Sequence, residues 1–509
     1  MHYAEGERDR KLKVKVIRTS DASFASTLRR IIDRRGEGER KVEKLVGEIL
    51  RTVRKEGDGA LLRYARLFDG VRLTRAELEI KRREIDRAMG VVSKGDLRAM
   101  RLAARRIARF HRRQLERSWS YRDPTGLVLG QKITPLERVG VYVPGGKALY
   151  PSTVLMNVIP AKVAGVKEVV MVSPVRDGAA PILAAARIAG VDRIFRVGGA
   201  QAIAALAFGT QTIPKVDKIV GPGNIYVATA KRLVFGAVDI DSIAGPSEVL
   251  ILADAGANPA YVAADMLSQA EHDELAAAFC VTPSFALAQK VQAQLERQLQ
   301  TTRRRSVSVK ALRRYGAIIV TRGLEEGITI ANAIAPEHVE LMVRKPHKWA
   351  RSIHHAGAIF LGPYSTPPLG DYMAGPNHVL PTGGSARFFS PLGSYDFLKR
   401  TSLIHAGREA LRSLAPEVIR MARLEGLYDH ARAVEVRFQQ PVEKGPSASL
   451  RSNRSLRRTT QVRLRSRILR APRTWDLFDQ AEHRALQHSV QKENPNGKKR
   501  KGRTENKRD

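Results

Sequence analysis

The chain is 509 residues long, carries a formal net charge of +37 and is 43% hydrophobic. This length and composition predict a globular protein with two or more hydrophobic cores, and they exclude a chain that is disordered throughout. No apolar run of about 18 residues is present, and residues 1–8 lack the apolar segment of a secretory signal, so the sequence predicts a cytoplasmic protein without a membrane span.

The positive charge is distributed unevenly along the chain. Residues 441–509 contain 19 Lys and Arg against 7 Asp and Glu, whereas the basic residues before them are mostly spaced singly along predicted helices. Such spacing is typical of a solvated surface and lacks the interleaved aromatic side chains of a base-stacking site. No nucleic-acid partner is predicted for the body of the protein. For 441–509 disorder is favoured, while a nucleic-acid-binding tail and a shifted reading frame remain open.

The first 137 residues are predicted to be mainly helical. Residues 1–40 are charged and poorly patterned, and they form a predicted N-terminal arm. Apolar residues then recur every three or four positions over 41–68 and 75–117, which is the period of an amphipathic helix. A turn is predicted at 121–126 and a strand at 128–133.

From residue 138 onward, short apolar runs alternate with helical segments. This alternation predicts strand–helix–strand units in parallel sheets, and hence an α/β fold with two units separated near 239–248. The single cysteine, Cys280, lies in one of the predicted buried strands. It is interpreted as a small hydrophobic residue rather than a nucleophile.

Three glycine-rich loops, 143–147, 197–201 and 220–224, each follow a predicted strand and precede a predicted helix. Backbone N–H groups at the start of such helices can bind a phosphate. None of the loops has the spacing of a dinucleotide fingerprint or a P-loop, so a nucleotide site and simple tight turns both remain open.

Gln269 and His272 lie three residues apart near the end of a helix predicted over 259–273. Their side chains therefore leave the same helical face. Two interpretations remain open: two ligands of one cation, or a solvated glutamine beside a capping histidine.

Later segments carry further ionisable residues. Glu337 and His338 place a carboxylate beside an imidazole near a predicted helix end, which suits proton abstraction near neutral pH, although surface Glu–His pairs are commoner. Asp371 lies in a loop rich in proline and glycine, where it is either a metal ligand or a turn-forming residue. His430 lies on a helix predicted over 417–433.

These residues belong to a series of motifs, in order over about residues 20–440, that resembles the histidinol dehydrogenase family. The series consists of R-V-G-V-Y-V-P-G-G at 138–146, G-G-A-Q-A-I-A-A at 198–205, G-P-G-N at 221–224, A-G-P-S-E-V-L at 244–250, L-S-Q-A-E-H at 267–272, P-E-H at 336–338, G-D-Y at 370–372, N-H-V-L-P-T at 377–382, Y-D-F-L-K-R at 395–400 and E-G-L-Y-D-H at 425–430.

The resemblance implies a zinc-dependent enzyme that oxidises L-histidinol to L-histidine through L-histidinal, reducing two NAD in turn, in the last steps of histidine biosynthesis. It implies a homodimer with shared active sites, in which substrate lies against the zinc ligands and His338. The implied roles are zinc ligation by Gln269, His272, Asp371 and His430 of the partner subunit; proton transfer by His338 with Glu337; substrate contacts by Ser247 and Glu425; NAD contacts by Tyr142, Gln201 and Asn224; and a place in the site lining for His378.

The predicted organisation follows from the pattern and the resemblance together. It comprises two Rossmann-like parallel-sheet units with N-terminal helices and a C-terminal helical arm exchanged in the dimer. The predicted parts are an N-terminal arm at 1–40, a first α/β unit with the zinc and base residues at 41–137 and 249–392, a second unit on the NAD side at 138–248, a dimerisation arm at 393–440 and a disordered basic extension at 441–509. The alternative is an inactive α/β scaffold that binds nucleic acid, and the presence of every implied ligand and base disfavours it.

Overall fold

The computed structural model of the chain describes residues 13–32, 39–145, 149–174, 179–243 and 245–439. The strands are β1 Lys15–Arg18, β2 Trp119–Arg122, β3 Val128–Pro135, β4 Arg138–Tyr142, β5 Glu168–Val172, β6 Arg193–Phe195, β7 Lys218–Val220, β8 Asp239–Ile240, β9 Glu248–Ala253, β10 Ala277–Thr282, β11 Gly316–Val320, β12 His338–Met342, β13 Ala358–Leu361 and β14 Leu398–His405.

The helices are α1 Phe24–Ile32, α2 Glu39–Glu56, α3 Asp58–Tyr64, α4 Arg82–Val91, α5 Lys94–His111, α6 Pro151–Ala164, α7 Ala180–Ala189, α8 Gly199–Phe208, α9 Ile225–Val234, α10 Pro259–Ala270, α11 Phe285–Leu299, α12 Arg305–Tyr315, α13 Leu324–Ile334, α14 Pro346–Ala350, α15 Pro367–Leu369, α16 Arg408–Leu424 and α17 Tyr428–Glu435. Everything discussed below lies in the compact unit Met1–Glu435. The predicted disordered extension at 441–509 lies outside the described residues.

One parallel sheet contains six strands in the order β1-β11-β10-β9-β12-β13. Its four central strands are buried on both sides, and helices cover both faces, as parallel sheets require. Alternate residues such as Val249 and Ile251 pack toward α10, α11 and α12. The intervening residues, such as Leu250, pack toward α13. Cys280 is fully buried in β10, and burial raises its pKa to about 12, which confirms its interpretation as a small hydrophobic residue.

The second parallel sheet has five strands in the order β6-β5-β4-β7-β8. Helices α4, α5, α6 and α7 cover one face, and α2, α3, α8 and α9 cover the other. The N-terminal helices therefore belong with this sheet, which corrects the predicted grouping of 41–137 with 249–392. The apolar period of these helices indicates that one side is buried, but it does not identify the sheet that buries it.

A third sheet, antiparallel and of order β14-β3-β2, joins Trp119–Arg122 and Val128–Pro135 to Leu398–His405. Strands β2 and β14 were not predicted, and the segment 393–440 is therefore not wholly helical. Both strands are largely exposed. β14 shows no alternation of apolar and polar residues, and the alternation of Trp119 and Tyr121 with polar residues in β2 spans only four positions, which is too short for a clear period-two signal.

The predicted N-terminal arm also contains regular structure. Residues Lys15–Arg18 add β1 to the edge of the six-stranded sheet, parallel to β11, and Ile17 is buried there. Such a short strand bordered by charged residues gives little pattern. Among the helices in the described ranges, none has the length and apolar character needed to cross a bilayer.

Candidate active site

His338 is the centre of a buried cluster at the amino ends of β9 and β12. Its Nδ1 lies 3.0 Å from the carbonyl oxygen of Glu248, to which it donates a hydrogen bond. That bond leaves Nε2 with its lone pair. Nε2 is buried, makes no hydrogen bond within the described residues and lies 3.9 Å from Oδ1 of Asp371. Burial lowers the pKa of His338, against the raising effect of the Asp371 charge. The ring is therefore a neutral imidazole with a free basic nitrogen.

Glu337 is held beside this ring by the same strand. Its Oε2 accepts a hydrogen bond of 2.9 Å from the backbone N–H of Glu248 and lies 3.7 Å from His338 Nδ1. Burial raises the pKa of Glu337 to about 8; the nearby charge of Glu248 adds to the rise, while hydrogen bonds from the Glu248 backbone and from Ser247 oppose it. A carboxyl group with a pKa near neutrality can exchange a proton under working conditions.

Asp371 lies on a single π-helical turn, Gly370–Ala374, that follows α15. Burial raises its pKa to about 6, with a lowering effect from His338 and a further rise from Glu337. Its backbone oxygen is 3.1 Å from Nδ1 of His378. The pKa of His378 falls to about 4 because it is buried and lies near His338 and His272. The structure therefore brings His378 into the cluster.

Gln269 and His272 approach the cluster from α10. The helix ends at Ala270, three residues earlier than predicted, and His272 follows it in a turn. Gln269 is 3% exposed, and its Nε2 has no hydrogen-bond partner within the described residues. His272 is exposed, yet desolvation of its ring by the surrounding protein lowers its pKa, and the charges of His338 and Arg304 lower it further.

Glu425 and His430 lie elsewhere on the chain. Both are exposed, and both line a surface groove between α16 and α17 whose walls include Val418, Met421 and Leu427. In the part of the chain that the structure describes, no three His, Cys, Asp or Glu side chains converge closely enough to hold a metal ion. The resemblance assigns only two ligands of these types, His272 and Asp371, to one chain, so a complete set is not expected within it.

The three residues predicted to contact NAD lie at the carboxyl edge of the five-stranded sheet. The hydroxyl of Tyr142 accepts a hydrogen bond of 3.2 Å from the N–H of Gly199, where α8 begins. Gln201 is buried in the first turn of α8. The side-chain oxygen of Asn224 caps α9 by accepting from two backbone N–H groups. Since that oxygen is occupied, only the amide nitrogen of Asn224 remains to contact a ligand.

A buried ion pair fixes the glycine loop at 221–224. Lys231 donates to Asp241 and to the carbonyl oxygen of Gly221, while Asp241 accepts from the N–H of Gly221 at 2.8 Å. The side chains of Lys231 and Asp241 are only 2% and 4% exposed. The N–H and the carbonyl oxygen of Gly221 are thus both bound by one charged pair at the carboxyl end of β7.

Lys231→Met is expected to lower the free energy of unfolding by about 3–5 kcal/mol, because it leaves the Asp241 carboxylate buried without its cation. The shift of the urea midpoint measures this effect. Lys162→Met is the matched control: its pair with Asp192 is 27% and 39% exposed, and about 1 kcal/mol or less is expected. Equal losses in the two variants would contradict the assignment of Lys231 to a buried clamp.

Sequence reasoning missed the organising role of Glu248. Its backbone orients both His338 and Glu337, and its side chain accepts a hydrogen bond of 3.1 Å from the N–H of Gly383. The only signal available was its position at the start of a buried strand next to Ser247.

Comparison with known proteins shows the following similarities. The family profile described as histidinol dehydrogenase matches residues 32–438. The histidinol dehydrogenase of Aquifex aeolicus is 54% identical over 426 residues, covering 84% of this chain and 99% of that protein. That of Syntrophotalea carbinolica is 52% identical over 428 residues, covering 84% and 99%. The crystal structure of histidinol dehydrogenase from Elizabethkingia anophelis superimposes with a TM-score of 0.79 at 36% identity, covering 83% of this chain and 98% of that chain.

Proposed function

The chain belongs to the histidinol dehydrogenase family and is an oxidoreductase, and from that premise we propose that it oxidises L-histidinol to L-histidine through L-histidinal. In this proposal it is a cytoplasmic, zinc-dependent homodimer that reduces two NAD in turn. The observation that supports the chemistry best is the state of His338. It is a buried neutral imidazole whose Nδ1 is occupied by a backbone carbonyl and whose Nε2 is free to accept a proton.

In the first oxidation, His338 takes the hydroxyl proton of the alcohol. As the O–H bond breaks, its electron pair forms the second bond of the carbonyl group, and the carbinol carbon releases a hydride to NAD. The lowered pKa of His338 keeps Nε2 unprotonated near pH 7, so the base is ready when substrate binds. The Nδ1 hydrogen bond to Glu248 keeps the ring oriented and disperses the positive charge that the proton brings.

The second oxidation requires a tetrahedral adduct before hydride can leave the aldehyde carbon. A thiol cannot supply it, since Cys280 is buried in β10 away from these residues. Water is the remaining nucleophile: the ionised form of Glu337 accepts one proton as the water oxygen bonds to the aldehyde carbon, and His338 Nε2 accepts the hydroxyl proton of the resulting diol as hydride leaves that carbon for the second NAD. The pKa of Glu337, about 8, places its exchange of protons near the working pH.

The side chains present are suitable for zinc. Gln269 has a buried amide nitrogen without a partner within the described residues, and the two ends of an amide can be exchanged by a flip. Together with His272, Asp371 and His430 of the partner subunit, it would give two nitrogen and two oxygen donors, a set that zinc accepts. When bound, the zinc ion would act as a Lewis acid that binds the imidazole and amine of the substrate.

The remaining assignments follow the same premise. Ser247 and Glu425 contact the substrate, and His378 lines the site. Tyr142, Gln201 and Asn224 contact NAD from the five-stranded sheet. The segment 393–440 carries Glu425 and His430 to the other subunit; the exposed apolar residues Met421, Leu424 and Tyr428 support this proposal, since a partner chain would cover them.

The test of the function is a NAD-reduction assay with L-histidinol, with and without a zinc chelator. Two NAD should be reduced for each L-histidine formed, and activity should disappear with the chelator and return with added zinc. No reduction of NAD with histidinol in the zinc-loaded protein would reject the proposal.

His272→Ala is expected to lower the zinc affinity of the protein by at least about 100-fold because it removes a ligand, and Asp371→Asn by about 10- to 100-fold because it keeps an oxygen donor but removes the carboxylate charge. Competition with a chromogenic chelator measures the affinity directly. Asp86→Asn, at an exposed position on α4, is the matched control and should leave zinc binding unchanged. Full zinc occupancy in both site variants would rule out the assigned ligands.

A further inference from the structure

Two buried carboxyl groups, those of Glu340 and Asp265, lie within hydrogen-bonding distance of each other, and the proposed mechanism uses neither. Glu340 lies on β12 and is 1% exposed, and Asp265 lies on α10 and is 9% exposed. The side chain of Glu340 leaves the same face of the sheet as His338, toward α10, because residues two apart on a strand share a face. Asp265 accepts a hydrogen bond of 2.8 Å from the hydroxyl of Thr366.

The protonation state of this pair follows from its surroundings. In the described part of the chain, neither carboxyl group forms an ion pair with Lys, Arg or His, and neither oxygen of Glu340 has a donor while both groups are ionised. A buried charge without a partner is strongly disfavoured. If Glu340 carries a proton, the free-energy cost of its buried charge disappears and its carboxyl group can donate a hydrogen bond to Asp265. Burial, with the adjacent Asp265 charge, raises the pKa of Glu340 well above its ordinary value.

The pair connects the three segments that carry the site. Asp265 lies one helical turn before Gln269 on α10, and Glu340 lies two residues after His338 on β12. Thr366 lies five residues before Asp371, at the start of α15. Asp265 accepts a hydrogen bond from Thr366. A second hydrogen bond, accepted from a protonated Glu340, would therefore join the segments of two proposed zinc ligands to that of the proposed base.

We propose that Glu340 is a positioning residue: its neutral carboxyl group donates a hydrogen bond to Asp265, and this bond holds α10, β12 and the segment of Asp371 in the arrangement that zinc and His338 require. The inference rests on the proposed function for its readout, since it concerns the same site. The hydrogen bond from a protonated Glu340 on β12 to Asp265 on α10 does not depend on the identity of the substrate.

The experiment compares two substitutions at Glu340 in the full-length protein. Glu340→Gln keeps a neutral donor of similar shape, so zinc affinity and kcat should stay within about three-fold of the wild type. Glu340→Leu fills the space without a donor and should lower zinc affinity or kcat by about 10- to 100-fold. Zinc affinity is measured by chelator competition. Equal damage from both substitutions, or no damage from Glu340→Leu, would overturn the proposal.

Infrared difference spectroscopy keeps the proposal testable if Glu340→Leu does not fold. The wild type minus Glu340→Gln spectrum at neutral pH should show the C=O band of a protonated carboxylic acid. Loss of carboxylate bands alone would show that Glu340 is ionised and would overturn the proposal. This measurement needs neither zinc nor substrate, so its outcome is separate from that of the histidinol assay. An inactive wild type that shows the carboxylic acid band would reject the proposed function but would leave the proposed protonation of Glu340 standing.

Discussion

His338→Asn is expected to lower kcat for histidinol by about 10²- to 10⁴-fold, the usual effect of removing a positioned base. Asparagine can still donate to the carbonyl of Glu248 through its amide nitrogen, so the local backbone should survive. It has no group that takes up a proton near neutral pH. The dissociation constant of histidinol, measured by calorimetry, should change little, because the loss is confined to proton transfer.

The control for this variant is His347→Asn, which makes the same change at an exposed position on α14. It should turn over at the wild-type rate. Glu337→Gln extends the comparison, since it should harm oxidation of added histidinal more than oxidation of histidinol if Glu337 acts mainly on water. Wild-type rates for both substrates in His338→Asn would remove His338 from its assigned role.

The sequence predicted most strands of the two parallel sheets because those strands are buried on both faces and appear as short apolar runs between helices. The edge strands β1 and β8 are mostly exposed and were not predicted. The sequence also did not predict β14, whose exposed residues give no period-two signal, or β2, whose alternation covers only four residues. Nor did it assign the N-terminal helices to their sheet. An amphipathic stripe such as Val46, Ile49 and Val53 indicates that a helix packs, but its partner surface is decided by tertiary fit.

In the site, too, some features were predictable from local sequence patterns and others were not. Local patterns placed Glu337 beside His338 and set Gln269 three residues before His272. They did not indicate that the backbone of Glu248, 90 positions from His338, would fix the tautomer of the ring. They also gave no sign of the pair formed by Asp265 and Glu340, since an acidic residue in a helix or strand usually faces solvent. Contacts between residues that are far apart in the sequence produce no recognisable spacing pattern along the chain.

Co-expression of two inactive variants, His272→Ala and His430→Ala, is expected to restore roughly a quarter of wild-type activity. If each site takes His272 from one chain and His430 of the partner subunit, a mixed dimer has one site with both lesions and one with neither. Random pairing makes about half of the dimers mixed, and half of their sites are intact. Co-expression is needed because an exchanged arm need not redistribute between folded dimers.

The matched control is the pair His272→Ala with Asp371→Asn. Both lesions then fall on the same side of the shared site, so every site of a mixed dimer carries one of them and no activity should return. Two affinity tags, purified in sequence, isolate the mixed dimers and show that they form. The exposure of Glu425 and His430 leaves both side chains accessible to a second chain. Isolated mixed dimers of His272→Ala and His430→Ala without activity would instead require both histidines to serve one site within a single chain.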